Sequence, residues 1–125
     1  MKVFHISEKP ITNTMTPRIP ESEYEDQKTP RICFAKTIQG CIIGHYENKN
    51  VIGKKLYVYS TMHEYYEPTT KQVSDKAVTG EVWILEPIIP KLEGIIEITK
   101  IKDYNLYKIN KDVFKVPVYE YKFLK

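Results

Sequence analysis

His5 and Ser7, Arg18 and Arg31, Phe34, Tyr57, and the carboxylates Glu81 and Glu86 are the side chains whose types combine into one chemistry. A guanidinium neutralises a pyrophosphate and holds it through paired hydrogen bonds, an aromatic ring stacks on a base or a nicotinamide, and an imidazole holds a ribose hydroxyl. A carboxylate beside them can stabilise an oxocarbenium-like sugar and orient the attacking group. The set therefore suits a nucleotide. No nucleophile elbow, glycine-rich phosphate loop, zinc quartet or calcium loop accompanies it. Cys33, Cys41 and His45 lack a recognised zinc spacing and a fourth ligand, so no metal is expected.

Those residues depend on the elements that carry them. Lys2–Ser7 alternates as a strand does, with Phe4 and Ile6 on one face and Val3, His5 and Ser7 on the other. If Phe4 and Ile6 face the core, His5 and Ser7 stand together toward a cleft; the plainer alternative is a half-exposed histidine without a task. Residues 8–30 hold Pro10, Pro17, Pro20 and Pro30 together with the acids Glu21, Glu23, Glu25 and Asp26. The prolines preclude a long helix or a central strand and leave an extended loop. Thr16-Pro-Arg-Ile and Thr29-Pro-Arg-Ile place both arginines just after a proline that restricts the backbone. Each can hold a phosphate or carboxylate, or pair with the acids of its own loop.

Arg31–Ala35 reads as a second strand, with Ile32 and Phe34 on one face. Thr37 suits an N-cap for a helix from Ile38 to Glu47. Gly40 and Gly44 within that helix cost roughly 1 kcal/mol each relative to alanine, a cost that makes sense if the helix backbone approaches a sheet or a ligand closely. Lys55–Ser60, Gly80–Glu86, Gly94–Ile101 and Val113–Phe123 read as further strands, and Pro117 points to a sheet edge or a bulge. Residues 61–79 read as a polar loop or lid, and Asp103–Asp112 as a connection. The sum is a single α+β domain over residues 1–125. It is strand-dominated, with a mixed or antiparallel sheet and one main helix after the second strand.

Composition limits the function classes. A chain of 125 residues supports one core, and 28% charged with 42% hydrophobic residues is ordinary for a globular protein. The formal charge of +3 is too small to argue for nucleic acid. Lysines gather between Lys100 and Lys125, but without arginine and interrupted by Asp103, Asp112 and Glu120, which favours a solvated face over a phosphate track. The opening Met1-Lys-Val-Phe-His enters a strand pattern directly and no apolar run approaches the length of a bilayer, so a cytoplasmic location is expected, with no membrane partner. Cys33 and Cys41 are then expected as buried free thiols.

The order of elements resembles the ADP-ribosyltransferase superfamily, which includes rifampin-modifying enzymes, RNA 2′-phosphotransferases and a phage anti-CRISPR ADP-ribosyltransferase. The similar pieces are Val3–Ser7 as the opening strand with the family's histidine, Arg31–Ala35 running into Thr37–Gly44, then Leu56–Tyr59 and Glu81–Pro87. They span the first 90 residues or so. The resemblance implies an ADP-ribosyltransferase-like fold in which His5 holds a ribose of NAD, Arg18 or Arg31 meets the pyrophosphate and Phe34 lies near the nicotinamide. Two departures stand out: the usual second-strand tyrosine is replaced by Phe34 or displaced, and Glu86 and Glu120 compete for the catalytic glutamate. The expected activity is binding of NAD or an ADP-ribose-type nucleotide, extending to mono-ADP-ribosyl transfer with His5 and Glu86 as catalytic residues and Ser7, Arg18, Arg31, Phe34 and Tyr57 as further contacts. NAD then serves as substrate and a protein or nucleic acid as acceptor. The alternative is a noncatalytic phage or prophage anti-defence module that sequesters a nucleotide signal or blocks a host protein. A third reading gives Tyr65 and Tyr66 to a protein partner.

Overall fold

The computed structural model describes residues 1–20, 25–45 and 50–125. Among them, six strands form one antiparallel sheet: β1 (Val3–Ser7), β2 (Ile32–Ala35), β3 (Lys55–Thr61), β4 (Glu81–Ile84), β5 (Lys91–Ile109) and β6 (Asp112–Phe123). Their order across the sheet is β4-β2-β1-β3-β5-β6. Helix α1 (Ile38–His45) follows β2, and the single turn α2 (Lys76–Thr79) precedes β4. The strand-dominated α+β architecture is as expected, with the antiparallel arrangement of the two considered. No helix among the described residues is long and apolar enough to cross a membrane.

Strand alternation divides the core between the two faces of the sheet. On the α1 side, Ile6, Ala35, Leu56, Val58, Ile96 and Ile98 pack with Cys41 and Ile42 of the helix, and Phe4 leans on the cluster. Val3, Ile32, Phe34, Val82, Ile84 and Ile88 form a second cluster, against which Met15 of the proline-rich loop packs. The face that carries His5 is therefore also a core face, roofed by residues 8–20. That roof is fastened by backbone groups: Ile11 N–H donates to the Tyr59 hydroxyl at 2.7 Å, Met15 and Ile88 exchange two hydrogen bonds, and so do Arg18 and Arg31. Prolines deny this segment a ladder of its own, and these isolated bonds fasten it to its neighbours instead. Glu21 and Glu23 lie outside the described residues.

Thr37 caps α1 as its type suggests, its Oγ1 accepting the Gly40 N–H at 2.9 Å. The expected helix end at Glu47 lies outside the described residues; the described helix runs to His45. Gly40 is buried, and a Cβ there would collide with the Thr79 carbonyl oxygen. The close approach that explains this glycine is thus to the end of α2, rather than to the sheet or a ligand. Of residues 61–79, Thr61 ends β3 and Lys76–Thr79 form α2, and the stretch between them is tied to the sheet. Tyr66 exchanges backbone hydrogen bonds of 2.7 and 2.8 Å with Trp83, Lys36 pairs with Glu67, and Pro68 and Val73 are buried.

Asp103–Asp112 differs most from its sequence reading. Strand β5 continues through it to Ile109 and returns as β6 after a turn at Asn110, whose φ of 58° is left-handed. Beyond Ile98, β5 pairs with β6 alone among the named strands, and most side chains of the ribbon are exposed, although Tyr119 is buried and Tyr107, Ile109 and Val116 are half-buried. Pro117 lies in β6, an edge strand, as its missing N–H requires.

Candidate functional site

The site begins where two strands part. β1 and β2 register at a single pair, Phe4 with Ala35, whereas β1 pairs along its length with β3 and β2 along its length with β4. His5 occupies the resulting seam. Its Nδ1 lies 2.9 Å from the Cys33 carbonyl oxygen and its ring centroid 5.4 Å from that of Phe34. A carbonyl only accepts, so Nδ1 carries the proton, and in the neutral ring Nε2 is left as an acceptor. Burial lowers the His5 pKa; the Cys33 bond opposes this, and the positive charges of His45 and Arg18 add to it. The imidazole is therefore neutral at pH 7, in the form that accepts a hydrogen bond from a ribose hydroxyl.

Above the seam, under the roof formed by residues 10–20, lies a cleft of about 630 Å³ lined by His5, Asn13, Thr14, Arg18, Arg31 and Cys33, among others. That volume falls in the range of small-ligand sites. Arg18 is exposed at its rim, and its backbone is pinned to Arg31 by hydrogen bonds of 3.1 and 3.0 Å. A second cavity, about 200 Å³, lies in the seam between sheet and α1 and is shared by His5, Cys33, Phe34, Cys41 and Glu81. A groove of about 730 Å³ opens beyond it, where Glu25, Arg31 and Glu81 face Phe114 and Tyr119 of the β6 side.

Arg31 and Arg18 have different environments. Arg31 is 2% exposed, its guanidinium carbon 4.2 Å from the Trp83 ring centroid. Its Nη1 donates to the carbonyls of Asp26 at 2.7 Å and Thr29 at 3.0 Å, and the Asp26 carboxylate lies 3.5 Å away. Burial tends to raise the Asp26 pKa, but hydrogen bonds from Thr29 and the Lys28 backbone, with the Arg31 charge, hold it below its usual value. Of the two roles open to Arg31, pairing within its own loop is the one the structure displays. Phe34 is likewise 2% exposed and packs in the second core cluster, so its ring supports His5 and is not laid open to the cleft.

The remaining expected residues divide similarly. Ser7 turns its hydroxyl to the Lys9 carbonyl at 2.6 Å, and Tyr57, its partner across β1 and β3, lines neither cavity that His5 lines. Glu86 is exposed beyond the end of β4, 3.3 Å from His63 Nε2, and also lines neither. The backbone bond to Glu64 and the nearby Glu86 carboxylate raise the His63 pKa against a small opposing effect of burial. Glu120 pairs with Lys100 on the ribbon.

Two carboxylates share a cavity with His5: Glu25 of the loop lines both the cleft and the seam cavity, and Glu81 of β4 lines the seam cavity. The Glu81 Oε2 accepts the Trp83 indole N–H at 2.6 Å and lies 3.9 Å from Cys33 Sγ. Burial raises its pKa, with the Trp83 bond working the other way. The alternation of Glu81-Val-Trp83 already puts these two side chains on one face of β4, and that was the available signal. Burial also pushes the Cys33 thiol up to about 11 and the Cys41 thiol up to about 12, so both stay protonated and unreactive. Among the described residues, no three His, Cys, Asp or Glu side chains converge as a metal would require. Comparison with known proteins finds no family model, no curated protein and no solved structure that matches this chain.

Proposed function

We propose that this protein binds a nucleotide of the NAD or ADP-ribose type in the cleft above the β1–β2 seam. The observation that carries the reading is that His5 and Arg18 line one cleft of about 630 Å³ beneath a roof rich in hydroxyls. Arg18 supplies the exposed charge for a pyrophosphate, neutral His5 the acceptor for a ribose hydroxyl, and Thr12, Asn13, Thr14 and Thr16 further polar groups. Arg31 fixes the Arg18 backbone from beneath. Calorimetry with NAD and with ADP-ribose tests this directly. Arg18→Ala is expected to weaken binding by about 10- to 50-fold, the worth of a charge-assisted hydrogen bond, with stability unchanged. Arg31→Ala is instead expected to destabilise the fold by about 3 kcal/mol through loss of a buried, paired cation. No heat with either ligand would sink the reading.

The reading extends to mono-ADP-ribosyl transfer onto a protein or nucleic acid acceptor. In that reaction the bond between nicotinamide and ribose breaks with its electron pair leaving on nicotinamide. The acceptor nucleophile bonds to the same ribose carbon, and its proton passes to a carboxylate. Glu81 takes the role that Glu86 was expected to fill: it lines the seam cavity that adjoins the cleft, and His5 lines both. Release of nicotinamide that disappears in Glu81→Gln marks the transferase.

A specific observation favours the noncatalytic alternative, capture of a nucleotide by a phage or prophage anti-defence module. The Glu81 carboxylate is engaged by Trp83 and its burial favours the protonated form, which weakens it as a stabiliser of positive charge. Tight binding with an intact NAD pool would select that reading.

A further inference from the structure

Charge is distributed unevenly along the chain. Residues 99–125 carry seven lysines against three acids, a formal +4, whereas residues 1–98 carry twelve Lys and Arg against thirteen Asp and Glu, a formal −1. The whole positive balance therefore belongs to the β5–β6 ribbon and the tail that follows it. The fold separates this charge in space, since β5 beyond Ile98 pairs with β6 alone among the strands, down to Ile109 with Asp112.

Lys100, Lys102, Lys108, Lys111 and Lys115 are all exposed on this ribbon. Lys100 pairs with Glu120 at 3.4 Å, while Lys102, Lys108, Lys111 and Lys115 make no ion pair among the described residues. Apolar groups that a solvated arm does not need lie beside them: Tyr104 and Leu106 are 44% and 73% exposed. The register puts Leu106 beside Lys115 and Lys108 beside Val113 on one face, and the Lys115 ammonium sits 4.3 Å from the Tyr104 ring centroid. In the linear sequence these lysines look like a solvated face; on the two-stranded ribbon Lys108 and Lys115 share a face with Tyr104 and Leu106, and Lys111 stands at the turn beside them.

We propose that the β5–β6 ribbon docks on duplex DNA, with Lys102, Lys108, Lys111 and Lys115 meeting the phosphate backbone. A two-stranded ribbon fits the width of a B-form major groove. Four cations interleaved with Tyr104 and Leu106 neutralise phosphates while the apolar groups shed water against the groove wall. The surface is separate from the nucleotide cleft, whose lining includes no residue of the ribbon.

Fluorescence anisotropy of a labelled 30-base-pair duplex (about 30, long enough for the ribbon at 3.3 Å per residue) tests this at 50 and 200 mM salt. About four neutralised phosphates give roughly a 100-fold loss of affinity between these salts. The triple variant Lys108→Gln, Lys111→Gln, Lys115→Gln should bind at least about 30-fold more weakly at 50 mM and lose only about 4-fold on the same salt step. A triple arginine variant at the same positions should keep binding, which separates charge from misfolding. Lys54→Gln with Lys55→Gln, on the body of the sheet, should leave affinity within about 2-fold, a change worth less than 1 kcal/mol. The proposal is overturned by no anisotropy change at 50 mM salt, by equal binding of the triple glutamine variant, by an equal loss in the Lys54 and Lys55 variant, or by binding confined to phosphatidylserine vesicles.

Discussion

The two arginines show how one local sequence serves two ends. Both follow Thr-Pro and precede Ile, and their backbones pair with each other. Arg31 is nevertheless sealed between Trp83 and its own loop, and Arg18 is left at the rim of the cleft. Burial decides this, because a guanidinium without water must find carbonyls and a ring face nearby, which the interior supplies. His5 is the other informative residue, and its protonation gives a test at this scale. Its pKa is lowered in the folded chain chiefly by burial, so below the ordinary histidine value of about 6.5 the unfolded chain binds the proton first. Stability should therefore fall as pH drops from 6.5 toward the lowered folded value and be unaffected by His5 above 6.5. Urea midpoints at pH 7.5 and 5.5 should diverge less in His5→Asn than in the parent; an identical divergence would remove the buried imidazole from the account. His63, whose pKa is raised, contributes with the opposite sign and is present in both proteins.

At the scale of elements, α1 is held by a cap at one end and a glycine contact along its side. Gly40 and Gly44 look equivalent by spacing but are not. A methyl at Gly40 would strike the Thr79 carbonyl, whereas one at Gly44 would lie 3.7 Å from the Thr79 methyl, an ordinary contact. Gly40→Ala should thus destabilise the fold by about 1–3 kcal/mol despite its better helix propensity, since overpacking outweighs the gain. Gly44→Ala should be neutral or add up to about 1 kcal/mol. Chemical denaturation of the pair resolves the question, and equal shifts of the same sign would contradict the α1–α2 contact. The β5–β6 ribbon illustrates the reverse case, an element with little pattern. Most of its side chains are exposed, so polar and apolar types mix along it, and Asp103, Asn105 and Asn110 imitate a loop.

Across the whole molecule, two core clusters share one sheet and meet at β1, whose Val3 serves one and whose Ile6 serves the other. Trp83 is the chain's single tryptophan, wholly buried and tied to Arg31, Tyr66 and Glu81. It therefore reports on the β4 half, while far-ultraviolet dichroism reports on all strands. Because β1 belongs to both halves, the two signals should give one midpoint in urea. Separate midpoints would show that the seam between β1 and β2 divides two independently unfolding parts.

The sequence by itself determined what local periodicity and residue type can determine. Val3–Ser7, Arg31–Ala35, Lys55–Ser60 and the strand around Trp83 follow from alternation, α1 from Thr37 and the helical stripe, the choice of edge or bulge for β6 from Pro117, and the general strand-dominated architecture from their sum. His5 and Arg18 were also legible as candidates for one cleft, and the structure brings them to one. Only the tertiary structure decided which arginine is buried, that Glu81 and not Glu86 shares the seam with His5, and that the C-terminal lysines stand on a ribbon of their own. Each of those outcomes depends on which groups lose water and which strands meet across long stretches of chain, and neither quantity is encoded in the spacing of neighbouring residues.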